Sequence, residues 1–95
     1  MSFIETALEE LGAVLKRKNS DYKLDGEFSN FEFAGEAAGI PPRRVMMAQI
    51  GIKLGRIQGI LSSARTIENE SLMDSFKDLA GYAVILYAYE LSKEA

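Results

Sequence analysis

The stretch from Val45 to Ala64 constrains this chain more than any other. Its apolar residues Met47, Ile50, Leu54, Ile57 and Leu61 recur at helical intervals. It contains no acid, its only charges are Lys53 and Arg56, and Ile52 and Ile60 put apolar groups on its other faces. A helix this apolar all round is usually buried on several sides. In a chain of 95 residues, that predicts burial against a partner subunit. Gly51, Gly55 and Gly59 recur every fourth residue. Each mid-helix glycine costs about 0.5–1 kcal/mol relative to alanine. Three on one stripe predict the close approach of another backbone, a dimer face, or a flat ligand.

The rest of the chain also reads as helix. Ser2-Phe3-Ile4-Glu5 is a capping box. Ile4, Leu8, Leu11 and Leu15 follow on one face, which predicts a helix over 2–18. Lys16, Arg17 and Lys18 suit the negative end of its dipole. Asn19 to Glu27 reads as a loop with Asp25-Gly26 as a turn signal, and a short helix is expected over 30–38, ending at Gly39. Pro41-Pro42 starts the third helix, 42–64, because proline is tolerated in a first turn. A fourth helix over 69–92 has Leu72, Phe76, Leu79, Ala83 and Leu86 as its core stripe. No strand pattern competes. The expected fold is all-α: one domain over 1–95, an antiparallel hairpin (42–64 and 69–92) with two accessory helices, assembled into an oligomeric helical bundle.

Composition removes several chemistries. The chain has no Cys and no His, so disulfides, thiolate zinc sites and Ser-His-Asp or Cys-His catalysis are excluded. Any catalysis must use carboxylates, Lys, Tyr or a hard cation such as Mg²⁺ held by oxygens. A net charge of −3 argues against coating duplex nucleic acid. Most bases lie between Lys16 and Arg65, while the first ten residues and 68–78 lean acidic. A positive region on an acidic protein points to a small anionic ligand, or to the two halves pairing with each other. No signal peptide opens the chain, and the apolar run Leu79–Tyr89 is too short to span a bilayer. A soluble cytoplasmic protein without a membrane partner is expected.

Asp74 and Asp78 stand one turn apart, in line with Tyr82, and Glu70 extends the line. They can share a Mg²⁺, or grip Lys53 and Arg56 across the hairpin in an ion-pair network. Metal-assisted phosphoryl chemistry normally needs further acids from a facing helix. The third helix offers none, and only Glu5, Glu9 and Glu10 of the first could supply them. Lys53 and Arg56 can instead clamp a phosphate, Arg in bidentate fashion. Lys18-Asn19-Ser20-Asp21-Tyr22 and Phe28-Ser29-Asn30-Phe31 combine polar groups with aromatics. Tyr22, Phe28 or Phe31 can stack on a base and Asn30 can read its edge, or the aromatics pin the loop to the core.

Taken in order, those two loop segments, then Lys53-Leu54-Gly55-Arg56, then Asp74-Ser75-Phe76-Lys77-Asp78-Leu79-Ala80-Gly81-Tyr82-Ala83, carry a resemblance. Over residues 16–89 the chain resembles short phage and prophage proteins of uncharacterised function and the nucleotide-modification-associated domains of phage genomes. The Asp-x-x-x-Asp-Leu-Ala-Gly-Tyr-Ala block is its most specific part. This chain has Asp21-Tyr22-Lys23 where that pattern usually has Asp-Tyr-Gly. A fainter similarity links it to MazG-like all-α nucleotide pyrophosphohydrolases, but 45–64 lacks their acid-rich metal helix, so hydrolysis is not carried over.

The leading expectation is a phage-type protein that binds a nucleotide or other phosphorylated small molecule, without a cofactor, in the host cytoplasm. It would sequester a host nucleotide signal or serve nucleotide metabolism. The expected ligand site comprises Lys18, Asn19, Asp21, Tyr22, Asn30, Lys53, Arg56, Asp74, Asp78 and Tyr82. The first alternative is a Mg²⁺-dependent pyrophosphohydrolase using Glu9, Glu10, Glu70, Asp74 and Asp78. The second is a structural interaction module.

Overall fold

The computed structural model describes residues 2–21, 26–62 and 72–94. They form four helices: α1 (Phe3–Asp21), α2 (Ser29–Ala38), α3 (Pro42–Ser62) and α4 (Leu72–Glu94). No strand occurs among the described residues. α3 and α4 make the main contact, α2 packs on α3, and α1 rests on α4. No described helix is long and apolar enough to cross a membrane.

The capping box forms as read. The Glu5 amide donates to Ser2 Oγ at 3.1 Å, and the Ser2 amide donates back to Glu5 Oε1 at 3.4 Å. α1 then runs one turn beyond Lys18, through residues read as loop. Extending a helix already formed gains a hydrogen bond for each residue added, which outweighs the weak preference of Asn, Ser and Asp for loops. Only Leu11, Val14 and Leu15 of its apolar stripe are half-buried; Ile4 and Leu8, expected in the core, are exposed. α1 rests on α4 beside Gly81, where a Cβ would be in ordinary contact, 3.7 Å from Leu15 Cδ2 and 3.9 Å from Leu11 Cδ1.

The corner between α2 and α3 is set by local chemistry. Gly39 takes the left-handed conformation, φ 73°. Its amide donates to the Glu36 carbonyl at 3.3 Å, and the Ile40 amide donates to the Gly35 carbonyl at 2.9 Å. This pair of bonds is a Schellman cap, which satisfies carbonyls that a helix end leaves orphaned. Pro41 then accepts the Arg44 amide at 2.9 Å, and Pro42 opens α3, where its missing N–H costs nothing.

α3 buries part of the stripe its periodicity indicates, Ile50 and Ile57, and part of a second line. Met46 and Ile57 are buried, with Ile50, Lys53 and Ile60 half-buried beside them. Met47, Leu54 and Leu61 are exposed. The helix carries two apolar lines, and the Lys53–Asp78 ion pair described below goes with the line that faces α4. On α4, Leu72, Leu79 and Leu86 are half-buried as expected, but Phe76 and Ala83 point outward. Ser75, Gly81 and Tyr89 are buried instead. The Ser75 hydroxyl has no hydrogen-bond partner among the described residues. Such a group typically costs about 1–3 kcal/mol.

Apart from α3's own backbone around each glycine, no described atom of the chain lies within 4 Å of a Cβ built at Gly51, Gly55 or Gly59, so no other helix of the chain approaches there. The close approach occurs at Gly35, where a Cβ would meet the Ile40 carbonyl oxygen at 2.5 Å.

The antiparallel register of α3 and α4 shows in two ion pairs. Near one end, Arg43 Nε and Nη2 donate to Glu90 Oε1 and Oε2 at 2.5 and 2.9 Å. The hydrogen bond and charge of Arg43 hold the Glu90 carboxyl below its usual range. A carboxylate with a lowered folded pKa stabilises the fold above its unfolded pKa, about 4.3, and loses that contribution as pH falls through the folded value. Glu90→Gln should therefore lower the melting temperature near neutral pH, with the difference from wild type closing as pH falls below the usual glutamate range. Both groups are exposed, so high salt should shrink the same difference.

Candidate functional site

Where α1 crosses α4, the side chains leave an open groove of about 450 Å³. α1 contributes Leu15, Lys16 and Lys18, the turn before α2 contributes Glu27 and Phe28, and α2 contributes Asn30 and Phe31. Gln49 comes from α3, and Tyr82, Val84, Ile85 and Ala88 from α4. The floor is apolar and the rim is polar. That is the usual make-up of a small-molecule site, where apolar area supplies affinity and a few polar groups set orientation.

Each wall has a local origin. Gly26 adopts φ 95°, and its carbonyl accepts the Ser29 amide at 3.2 Å, which turns the chain into α2. The turn brings Phe28 over α4, where its ring meets Tyr89 edge to face, with centroids 5.3 Å apart. Lys93 Nζ lies 4.9 Å from the centroid of the same tyrosine ring. Phe28 is thus held by the core, and Phe31 and Tyr82 are the other aromatic residues of the lining.

A second cavity of about 110 Å³ adjoins the first through the shared residues Leu15, Lys18, Tyr82 and Ile85. Lys77, Asp78 and Gly81 complete it together with Leu11 and Val14. Asp78 is held by Lys53, whose Nζ lies 3.0 Å from Asp78 Oδ2. Lys53 is the more enclosed partner, with a side chain 16% exposed against 42% for Asp78. With Asp78 paired, Lys16, Lys18 and Lys77 outnumber Glu27 along the two cavities.

The residues expected from the sequence divide accordingly. Lys18, Asn30 and Tyr82 line the groove, and Asp78 lines the adjoining cavity. Lys53 meets Asp78 across the hairpin as expected, but neither Lys53 nor Arg56 lines either cavity. The cations that line the groove are Lys16 and Lys18 of α1. Arg56 and Asp74 are exposed. The side chains of Asn19 and Asp21, together with Tyr22 and Glu70, lie outside the described residues. Among the described residues, no three acids converge on a point that could hold a metal ion. Lys16, Phe31 and Gln49 had other sequence explanations: a helix end, a pinned loop and a polar face. Their convergence arises only from the crossing of α1 and α4. No family model, curated protein or solved structure matches the chain.

Proposed function

We propose that the groove binds a nucleotide or a similar phosphorylated small molecule, and that the protein acts by holding this ligand rather than by transforming it. The observation that carries this reading is a mainly apolar lining with aromatic rings that also includes two lysines and an amide. Phe31 and Tyr82 offer surfaces for a flat ring, and Asn30 offers both donor and acceptor to its edge. Lys16 and Lys18 offer charge to a phosphate. The resemblance to phage proteins associated with nucleotide modification points the same way, and sequestration of a host nucleotide signal is the role it suggests.

The test is a thermal-shift and calorimetric screen of mono-, di-, tri- and cyclic nucleotides, each with and without Mg²⁺. Saturable binding without Mg²⁺ and without turnover is expected. Replacing both Lys16 and Lys18 by Ala should weaken that binding ten-fold or more, since about 1.4 kcal/mol is a factor of ten. Both lysines are exposed, so the fold should not change. Mg²⁺-dependent release of pyrophosphate would replace this reading with hydrolysis, and no binding of any nucleotide would remove it.

A further inference from the structure

The groove and the smaller cavity beside it differ in chemistry. Phe28 and Phe31 and the amides of Asn30 and Gln49 line the groove alone. The smaller cavity has neither amide, and its one ring is that of Tyr82. Its charged residues are Lys18 of α1 and Lys77 and Asp78 of α4. Asp78 already faces Lys53, whose Nζ lies 3.0 Å from its Oδ2. No ion pair among the described residues engages Lys18 or Lys77. Glu27, the acid of the groove, does not line the smaller cavity. Two ammonium groups from different helices are therefore left there without a carboxylate of their own. Lys18 and Tyr82 line both spaces, so a ligand lying in the groove reaches the smaller cavity along them.

We infer, on the reading of the groove as a nucleotide site, that its ligand is a nucleoside monophosphate. The base lies in the groove, and the single phosphate enters the smaller cavity between Lys18 and Lys77. Lysine suits this place, because its rotatable donors can meet a phosphate from several directions. Size sets the number of phosphates. The cavity holds about 110 Å³. At about 30 Å³ per water that is the space of a few waters, or of one phosphate group. A second and third phosphate would extend into solvent, where an added charge contributes little.

The experiment is calorimetric titration of the full chain with the four ribonucleoside 5′-monophosphates. The free nucleoside, diphosphate and triphosphate of whichever binds tightest follow. The nucleoside should bind about ten-fold more weakly than its monophosphate, and the di- and triphosphate within about three-fold of it. Lys77→Ala should weaken the monophosphate about ten-fold and leave the nucleoside unchanged. Lys77 is exposed, so the variant should keep its helical circular dichroism and its melt. Arg17→Ala removes the same charge from an exposed position that lines neither cavity, and should bind both ligands like wild type. Monophosphate binding that Lys77→Ala does not weaken, or that Arg17→Ala weakens equally, would overturn the phosphate subsite and leave the groove reading standing. A triphosphate that binds ten-fold tighter would overturn the single phosphate. No binding of any nucleotide or nucleoside would remove the groove reading and this inference with it.

Discussion

Gly35→Ala should be the most damaging small substitution in the described helices. The new Cβ would stand 2.5 Å from the Ile40 carbonyl oxygen and 3.3 Å from the Pro42 nitrogen. Both are backbone atoms, so no side chain can swing away. Ile40 is held by its own amide bond to the Gly35 carbonyl, and Pro41 and Pro42 have fixed φ angles. Relief requires opening the corner between α2 and α3. Forced overpacking typically costs about 1–3 kcal/mol, and the rigidity of this corner places the expected loss near the top of that range. At about 4–8 °C per kcal/mol in a domain of this size, the melting temperature should fall by roughly 10–20 °C. Gly81→Ala is the control. Its Cβ would meet only Leu11 and Leu15 at ordinary contact distance, and alanine is the better helix former. Gly81→Ala should therefore hold or raise the melting temperature. If both variants melt like wild type, the tight corner is not the constraint described.

Asp78→Ala should cost about 2 kcal/mol, as expected when a largely enclosed charge loses a partner. The asymmetry of the pair sets the direction. Lys53 is mostly covered while Asp78 reaches solvent, so deleting the carboxylate takes a partner from the more enclosed group. A fully buried pair would cost about 3–5 kcal/mol, and the exposure of Asp78 lowers the figure here. Lys53→Met keeps an apolar stem against α4 and removes the charge. Combined with Asp78→Ala, it should recover much of the loss, because the double variant removes both charges of the pair from the helix interface. Chemical denaturation of the two single variants and the double variant provides the cycle. Additive losses, or an Asp78→Ala variant as stable as wild type, would show that the two groups do not depend on each other.

The all-helical class, the four elements and the antiparallel hairpin were legible because they rest on local signals. Ser2 and Glu5 satisfy each other's amides within one turn, Gly39 supplies a left-handed residue, and Pro41-Pro42 starts α3. Each effect lies within a few residues and does not depend on what packs where. The Lys53–Asp78 contact was legible for a related reason, since opposite charges on otherwise apolar helices have few other low-energy arrangements.

Choices between equivalent faces depended on tertiary structure. Of the apolar line that periodicity marks on α3, Ile50 and Ile57 turn inward as expected, while packing buries Met46 beside them and leaves Met47, Leu54 and Leu61 exposed. Glycine spacing likewise marks where a backbone can approach, not where one does. Gly35 receives that approach because the chain folds back there into two prolines, while Gly51, Gly55 and Gly59 face outward. The groove belongs to the same class. Lys16, Lys18, Asn30, Gln49 and Tyr82 come from all four helices, and their meeting is set by the crossing of α1 over α4 at Gly81. The sequence alone determined which segments are helices and how they begin and turn, because capping and backbone conformation are local. Tertiary structure decided which faces are buried and which side chains converge, because packing ranks faces by the neighbours available across the whole chain.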